Sequence, residues 1–273
     1  MTGERVAPAT LDRLSFAARA EAYARAAVAG EVLVGKWVKA ACQRHLDDLA
    51  RCASDPDWPF EFDAQKCGRL CHFLELLPHV KGEWARPKVV DGALVRPRIR
   101  LEDWQVFCHG VPFGWVYRKT RRRRFRRSYQ EVARKNAKTT PAAGVALYLL
   151  ACDDELGGEV YSLATKRDQA KIVWDIGAQM LMAEPELRSR PPFGPGIGAN
   201  SRAIFRQDIG SKWEPLGRDS DTKDGFNTHA FIGDELHAWK DRQLYDVMDS
   251  STGARAQPMG WMITTAGHNL VGI

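Results

Sequence analysis

No stretch of these 273 residues is apolar for long enough to cross a bilayer as a helix, and the N-terminus lacks the basic-then-apolar layout of a secretory leader. Both absences predict a protein that stays where it is made, in the cytoplasm. The six cysteines, Cys42, Cys52, Cys67, Cys71, Cys108 and Cys152, lack the paired spacing of a secreted disulfide framework and point to the same reducing compartment. Cys67, Cys71 and His72 have a spacing that lets two metal ligands share a helix face. The surrounding Leu70, Phe73 and Leu76 favour a buried helix with these as core positions, and no structural metal is expected. What remains is ordinary for a globular protein: 44% hydrophobic and 27% charged residues, on a chain long enough for one large α/β domain with an accessory region.

A second shortage is local. In the P-loop pattern G-x-x-x-x-G-K-[ST], taking Lys138-Thr139 as the K-T pair puts Val132 and Ala137 where the glycines belong. Glycine there lets backbone N–H groups approach phosphate oxygens. Ala137 adds one methyl, and the rest of the chemistry is present: a lysine for the β/γ-phosphates, a hydroxyl for Mg²⁺, and a helix N-terminus behind them. Thr140-Pro141 opens that helix, with proline in the first turn where its missing N–H costs nothing. The small residues Ala142, Ala143, Gly144 and Ala146 allow close packing on a sheet. Alone, the segment reads better as a lysine-rich turn before a buried helix.

The downstream strands shift that balance. Thr228 to Asp234 is a short apolar strand ending in adjacent carboxylates, Asp234 and Glu235, the layout of a Walker B strand. Asp234 then serves Mg²⁺ and Glu235 polarises the attacking water. A further apolar strand, Met259 to Ile263, ends in Thr264 and Thr265, hydroxyls at the edge where open α/β sheets hold ligands.

Four segments, Arg134-Lys-Asn-Ala-Lys-Thr139, Asp224-Gly-Phe-Asn227, Asp234-Glu-Leu-His-Ala238 and Thr264-Thr-Ala-Gly267, together resemble the ATPase domain of the terminase large subunit of tailed bacteriophages. The likeness extends to Gly30-Glu31, Gly35-Lys-Trp37, Cys42-Gln-Arg-His45, Trp104-Gln105, Phe113-Gly-Trp115 and Val160 to Ala170. Ala137 departs from the family's usual glycine. The resemblance implies a P-loop NTPase of the ASCE type, an α/β fold whose mostly parallel sheet is flanked by helices. The expected layout is an N-terminal helical region over 1–85 and the ATPase domain over 86–273. It also implies ATP and Mg²⁺ as cofactors, with double-stranded DNA, a homo-oligomeric ring, a portal protein and a small terminase subunit as partners at a prohead in the host cytoplasm.

By the same resemblance Gln105, 33 residues before Lys138, reads the adenine edge, and Arg134 reaches the γ-phosphate within the same subunit. Lys138 and the amides around Asn136, Ala137, Thr139 and Thr140 hold phosphates, Thr139 and Asp234 hold Mg²⁺, and Glu235 directs the water. Thr264 and Thr265 sense the γ-phosphate, His237 and Trp239 shape the site, and Arg218 is the candidate for a charge donated to a neighbouring subunit. Full-length terminases carry a metal-dependent nuclease after the ATPase. Here eight residues follow Thr265, so no DNA cleavage is expected of this chain.

Two other readings remain. Asp234-Glu-Leu-His237 also fits the D-E-x-H box of superfamily-two helicases, and a nucleotide-binding assembly module with weak turnover fits Ala137. The run Arg118 to Arg127 holds eight positive charges on a chain of net charge +6. It reads equally as a contact for DNA phosphates or an acidic neighbour and as a solvated hairpin tip. Pro87 to Pro97 reads as an extended connector, Pro191 to Gly198 as a turn-rich loop, and Ile204 to Leu216 as a hairpin.

Overall fold

The computed structural model describes residues 15–153, 155–189, 197–217 and 225–266. In chain order its elements are α1 (Phe16–Ala29), α2 (Lys36–Ser54), β1 (Phe60–Phe62), α3 (Ala64–Leu76), β2 (Lys88–Val90), β3 (Ala93–Val95), α4 (Asp103–Gly114), β4 (Trp115–Tyr117) and β5 (Arg127–Glu131). There follow α5 (Thr139–Ala151), β6 (Glu159–Ala164), α6 (Arg167–Ala183), α7 (Pro185–Ser189), β7 (Ile197–Ala199), β8 (Ile204–Arg206), β9 (Ser211–Gly217), β10 (Thr228–Asp234), α8 (Gln243–Ser250) and β11 (Met259–Thr264). They form two compact units, Met1–His72 with Leu101–Phe125, and Phe73–Arg100 with Arg126–Ile273.

The first unit is helical with one small antiparallel pair, β1 on β4. Ser15 caps the alanine-rich α1 by accepting from Ala18 N–H, and Gly30 at φ 86° closes it. Cys67 and Cys71 are buried, and both sulfurs lie where a side chain at Gly110 would stand, so the core reading of this helix holds for them. His72 and Leu76 depart from it, both being exposed.

The basic run is largely absorbed by this unit. Arg118 donates to the Trp58 and Cys52 carbonyls, and Arg121 pairs with Glu61 and Asp63. Arg123 is buried over Phe113, and Arg124 pairs with Asp48 at 2.5 Å while lying over Phe60. Arg127, in the second unit, pairs with Asp249. Five of the eight charges thus hold the fold together, because guanidinium groups can stack on rings and satisfy carboxylates at once.

The second unit is built on a seven-stranded sheet in the order β5-β11-β10-β6-β9-β8-β7. The first five are parallel to one another, and β8 and β7 add antiparallel at one edge. Strands β10 and β11 are buried along their whole length, as parallel strands covered on both faces must be. Eleven of the thirteen residues of α5 are buried, which explains its apolar composition all round. Gly177 on α6 admits the indole of Trp213, and a Cβ there would lie 2.3 Å from the ring.

The segment 87–97 is not a plain connector. Lys88 to Val90 pairs with Ala93 to Val95, and Asp91 and Gly92 both take positive φ, as a two-residue type I′ turn requires. The flanking prolines masked an Asp-Gly hairpin signal between two apolar triplets. The expected β8–β9 hairpin is present; residues 190–196, most of the turn-rich loop, lie outside the described residues. Lys166 is the N-cap of α6, and the hydroxyl of Thr165 just before it donates to the Gln169 side-chain oxygen.

Candidate functional site

The sheet order decides the site. β11 lies between β5 and β10, so the C-terminal ends of three neighbouring parallel strands present Glu131 and the turn after it, Thr264, and Asp234 together. Such an edge, where crossovers pass to opposite sides, is where open α/β sheets leave a crevice.

From β5 the chain enters an exposed turn, Ala133 to Ala137, closed by Asn136 N–H on the Ala133 carbonyl at 3.3 Å. Lys135 and Ala137 both have positive φ, 68° and 55°. This is the conformation that glycine adopts freely and alanine does not, so Ala137 stands in the backbone conformation for which the P-loop pattern has a glycine. α5 starts at Thr139, and Pro141 falls in its first turn. The first N–H groups of the helix have no intrahelical acceptor and sit at the positive end of its dipole.

Lys138 is the centre of the site. Its ammonium is 2.6 Å from Glu235 Oε1 and 3.4 Å from Asp234 Oδ1, with its side chain largely withdrawn from water. Burial works to lower its pKa, but the Glu235 hydrogen bond and the two carboxylate charges outweigh that and raise it, so the lysine is charged. Burial raises the Asp234 pKa and the neighbouring Glu235 charge adds to this, partly opposed by Lys138. Asp234 is further held through its backbone, its carbonyl accepting from Trp239 Nε1 at 3.0 Å.

Glu235 adopts the left-handed conformation, φ 54° and ψ 45°, an unusual one for a side chain of its size. Its N–H donates to Asp234 Oδ1 at 2.8 Å, and its second carboxylate oxygen lies 3.2 Å from His237 Nε2. His237 Nδ1 in turn lies 3.0 Å from Thr264 Oγ1 and 3.5 Å from Thr265 Oγ1, while the His237 N–H donates to Thr264 Oγ1. With the Nε2 proton facing the Glu235 carboxylate, Nδ1 is the acceptor for a threonine hydroxyl. A continuous polar chain therefore runs Lys138, Glu235, His237, Thr264 and Thr265.

The donor set fits a nucleoside triphosphate with its cation. An ammonium and unpaired helix N–H groups suit phosphate oxygens, and the Thr139 hydroxyl with the Asp234 carboxylate are the hard oxygen donors Mg²⁺ takes. Arg134, Asn136, Thr139 and Thr140 all lie on this loop or its helix, and Arg134 is exposed. Gln105 belongs to the first unit; it is buried, and its amide oxygen accepts from Glu102 N–H in a capping box of α4. Arg218, Asp224 and Gly267 lie outside the described residues. The linking position of His237 has only a weak signal in the sequence, its two-residue offset from Glu235, whose left-handed backbone leads into the 3-10 turn Leu236–Ala238 that carries the imidazole.

A family model described as the terminase large subunit, ATPase domain, matches residues 103–273. The solved large terminase of bacteriophage HK97 is similar with a TM-score of 0.57 and 19% identity, over 76% of this chain and 39% of that one. The large terminase ATPase domain of Thermus phage P74-26 gives a TM-score of 0.38 and 19% identity, over 55% of this chain and 63% of that one. A 49-residue stretch is 45% identical to Protein YmfN of Escherichia coli (strain K12), which is 18% of this chain and 11% of that protein. The chain thus spans well under half the length of the HK97 enzyme and about a tenth of YmfN. The HK97 likeness bears on the fold, a mostly parallel sheet with flanking helices. With the family match covering more than half of the sequence, Lys138, Asp234, Glu235 and Thr264 within it, the chain belongs to the ATPase domain family of the terminase large subunit.

Proposed function

We propose that this chain hydrolyses ATP with Mg²⁺ and, as the motor part of a larger packaging enzyme, couples that hydrolysis to movement of double-stranded DNA into a prohead in the host cytoplasm. The observation that carries the reading is the meeting of Lys138, Asp234, Glu235 and Thr264 at three adjacent strand ends. Bound Mg²⁺ would neutralise charge developing on the phosphoryl oxygens. Lys138 and the amides from Asn136 to Thr140 hold the β/γ-phosphates, with Thr139 and Asp234 as cation ligands. Glu235, released from Lys138 as phosphate takes the ammonium, orients the attacking water, and His237 keeps its second oxygen in place. Thr264 and Thr265 receive the change through His237, which ties the state of the γ-phosphate to β11.

Arg134 in the same subunit and Arg218 from a neighbour in a homo-oligomeric ring supply further positive charge, and Gln105 reads adenine. Portal protein and small terminase subunit complete the assembly, and DNA cleavage lies outside this segment. The test is phosphate release from ATP by the purified chain, with and without double-stranded DNA. Lys138→Ala is expected to abolish nucleotide binding, and Glu235→Gln to retain binding while turnover falls about 100-fold or more, the scale of a lost general base. Turnover unaffected by both changes would overturn the assignment. Ala137 at positive φ favours one second reading, an assembly module; tight ATP binding without phosphate release in the wild-type chain would establish it.

Arg218 is tested by mixing. Arg218→Ala subunits and Glu235→Gln subunits, each inactive alone, recover activity together if the arginine acts in trans. Activity no better than either alone would remove that role.

A further inference from the structure

Both peptide groups that flank Glu235 are pinned by hydrogen bonds. The group before it is held at each end: its carbonyl, on Asp234, accepts from Trp239 Nε1 at 3.0 Å, and its N–H, on Glu235, donates to Asp234 Oδ1 at 2.8 Å. The group after it is held by Ala238, whose N–H donates to the Glu235 carbonyl at 2.8 Å. A peptide group is planar, so the orientations of these two planes fix φ and ψ of the residue between them. The left-handed values at Glu235, 54° and 45°, are thus imposed by three hydrogen bonds against the preference of an L-residue with a long side chain.

That backbone aims the side chain where the common negative-φ conformations would not. From it, one carboxylate oxygen meets Lys138 at 2.6 Å and the other meets His237 Nε2 at 3.2 Å. The three backbone bonds are not equally secure. Asp234 Oδ1 is a shared acceptor, with Lys138 3.4 Å from it, and cation binding is assigned to the same carboxylate. Trp239 Nε1 stands outside that competition. Its ring is 3% exposed and packs with Phe231, Leu236, Met248 and Met262. It also lies along Gly233, where a Cβ would come within 3.7 Å of the indole. The turn that returns it to its own strand end is closed by Trp239 N–H on the Leu236 carbonyl at 2.9 Å. A ring packed in this way presents its donor at one fixed place.

We propose that Trp239 is a positioning residue for Glu235: its indole N–H fixes the peptide plane between Asp234 and Glu235 and so keeps the glutamate in the left-handed conformation from which its carboxylate directs the attacking water. The inference rests on the role given to Glu235 above. It adds that the aim of the base is set through the backbone, by a residue that does not touch the reacting atoms. The clamp matters most once phosphate has taken the Lys138 ammonium, because Glu235 then loses the shorter of its two side-chain contacts.

The experiment compares ATP binding and single-turnover phosphate release for wild type, for Trp239→Phe, and for the chain with 3-benzothienylalanine at position 239, where sulfur replaces the N–H in a ring of nearly the same shape. Circular dichroism and urea unfolding establish that each is folded, and the isostere keeps the core filled if phenylalanine does not. Both are expected to release phosphate about 10-fold more slowly, the scale of a buried carbonyl left without its donor, with ATP affinity little changed. Combined with Glu235→Gln, the same changes should slow the reaction by less than about two-fold, since residues acting through one another are not additive.

Release at the wild-type rate in both variants would overturn the proposal. So would an equal loss on the Glu235→Gln background, which marks a role in packing alone, or a rate restored by raising Mg²⁺, which marks a role at Asp234. Glu235→Gln without effect in the otherwise wild-type chain would remove the nucleotide-site reading and this inference with it, whereas loss at Glu235 without loss at Trp239 removes the inference alone.

Discussion

Lys138 faces two carboxylates with one ammonium, and the geometry divides its attention unequally: 2.6 Å to Glu235 and 3.4 Å to Asp234. The closer partner is the group that must be free to direct water, so the ion pair and the chemistry compete. His237 holds the other Glu235 oxygen and touches both threonines of the β11 end. His237→Ala is expected to leave ATP affinity within a few-fold while turnover falls by about 10- to 100-fold, the lower range for loss of a group that positions a base. Nucleotide titration beside phosphate release separates the two effects. Ala137 offers a prediction of opposite sign. Its left-handed backbone costs about 1–2 kcal/mol, while glycine adds about 0.4–1 kcal/mol of unfolded-state entropy. Ala137→Gly should therefore stabilise the chain by about 0.5–1 kcal/mol without loss of turnover, read as a raised midpoint in thermal or urea unfolding.

At the scale of elements, close packing of α6 on the sheet sets what can change. Alanine in place of glycine within a helix gains about 1 kcal/mol of propensity. At Gly177 the new methyl would meet the Trp213 ring at 2.3 Å, and that indole is itself fully buried, with Nε1 donating to Ser162 and its carbonyl accepting from Trp174. A rigid buried ring held at Nε1, on a residue whose backbone carbonyl is also bonded, has little room to step aside, and overpacking of this kind costs about 1–3 kcal/mol or somewhat more. Gly177→Ala is thus expected to be destabilising on balance, by about 1–2 kcal/mol, with urea denaturation as the check. β10 and β11 were legible as elements because both are unbroken apolar runs that end in polar pairs. The β2–β3 ribbon was not, since Pro87 and Pro97 outweighed the Asp91-Gly92 turn between them. The basic run was legible as charge alone: its partners Asp48, Trp58, Glu61 and Asp63 come from more than fifty residues earlier, and no local pattern announces such contacts.

At the scale of the whole molecule, two buried histidines of the first unit contribute to the response to acid. His45 accepts from Trp115 Nε1 within a cage of Phe62, Phe107 and Trp115, and burial lowers its pKa to about 4. Glu21 and Asp48 pull it upward without offsetting desolvation, and Arg44 adds to the lowering. Burial lowers His109 to about 4 as well, against a smaller backbone contribution at Cys108. Both groups take up protons more readily when unfolded, near pH 6.5, so their contribution is complete above that value and is lost as pH falls towards 4. Each such shift corresponds to about 3 kcal/mol at most. Urea midpoints measured from pH 7 to 4.5 should fall steeply, and His45→Gln, which keeps an acceptor for Trp115, should flatten the fall. An unchanged slope in that variant would remove His45 from the account.

What the sequence determined by itself is local: the strands β10 and β11, the helix after Lys138, and the residue types at their ends, because apolar runs and the polar groups that stop them are written within a few positions of each other. The tertiary structure decided everything that depends on order across the sheet. Only the insertion of β11 between β5 and β10 brings Thr264 to His237 and sets Lys138 against Glu235. Those contacts join residues 27 and 97 positions apart, and pairing at such separation is chosen by packing of the whole sheet rather than by any pattern along the chain.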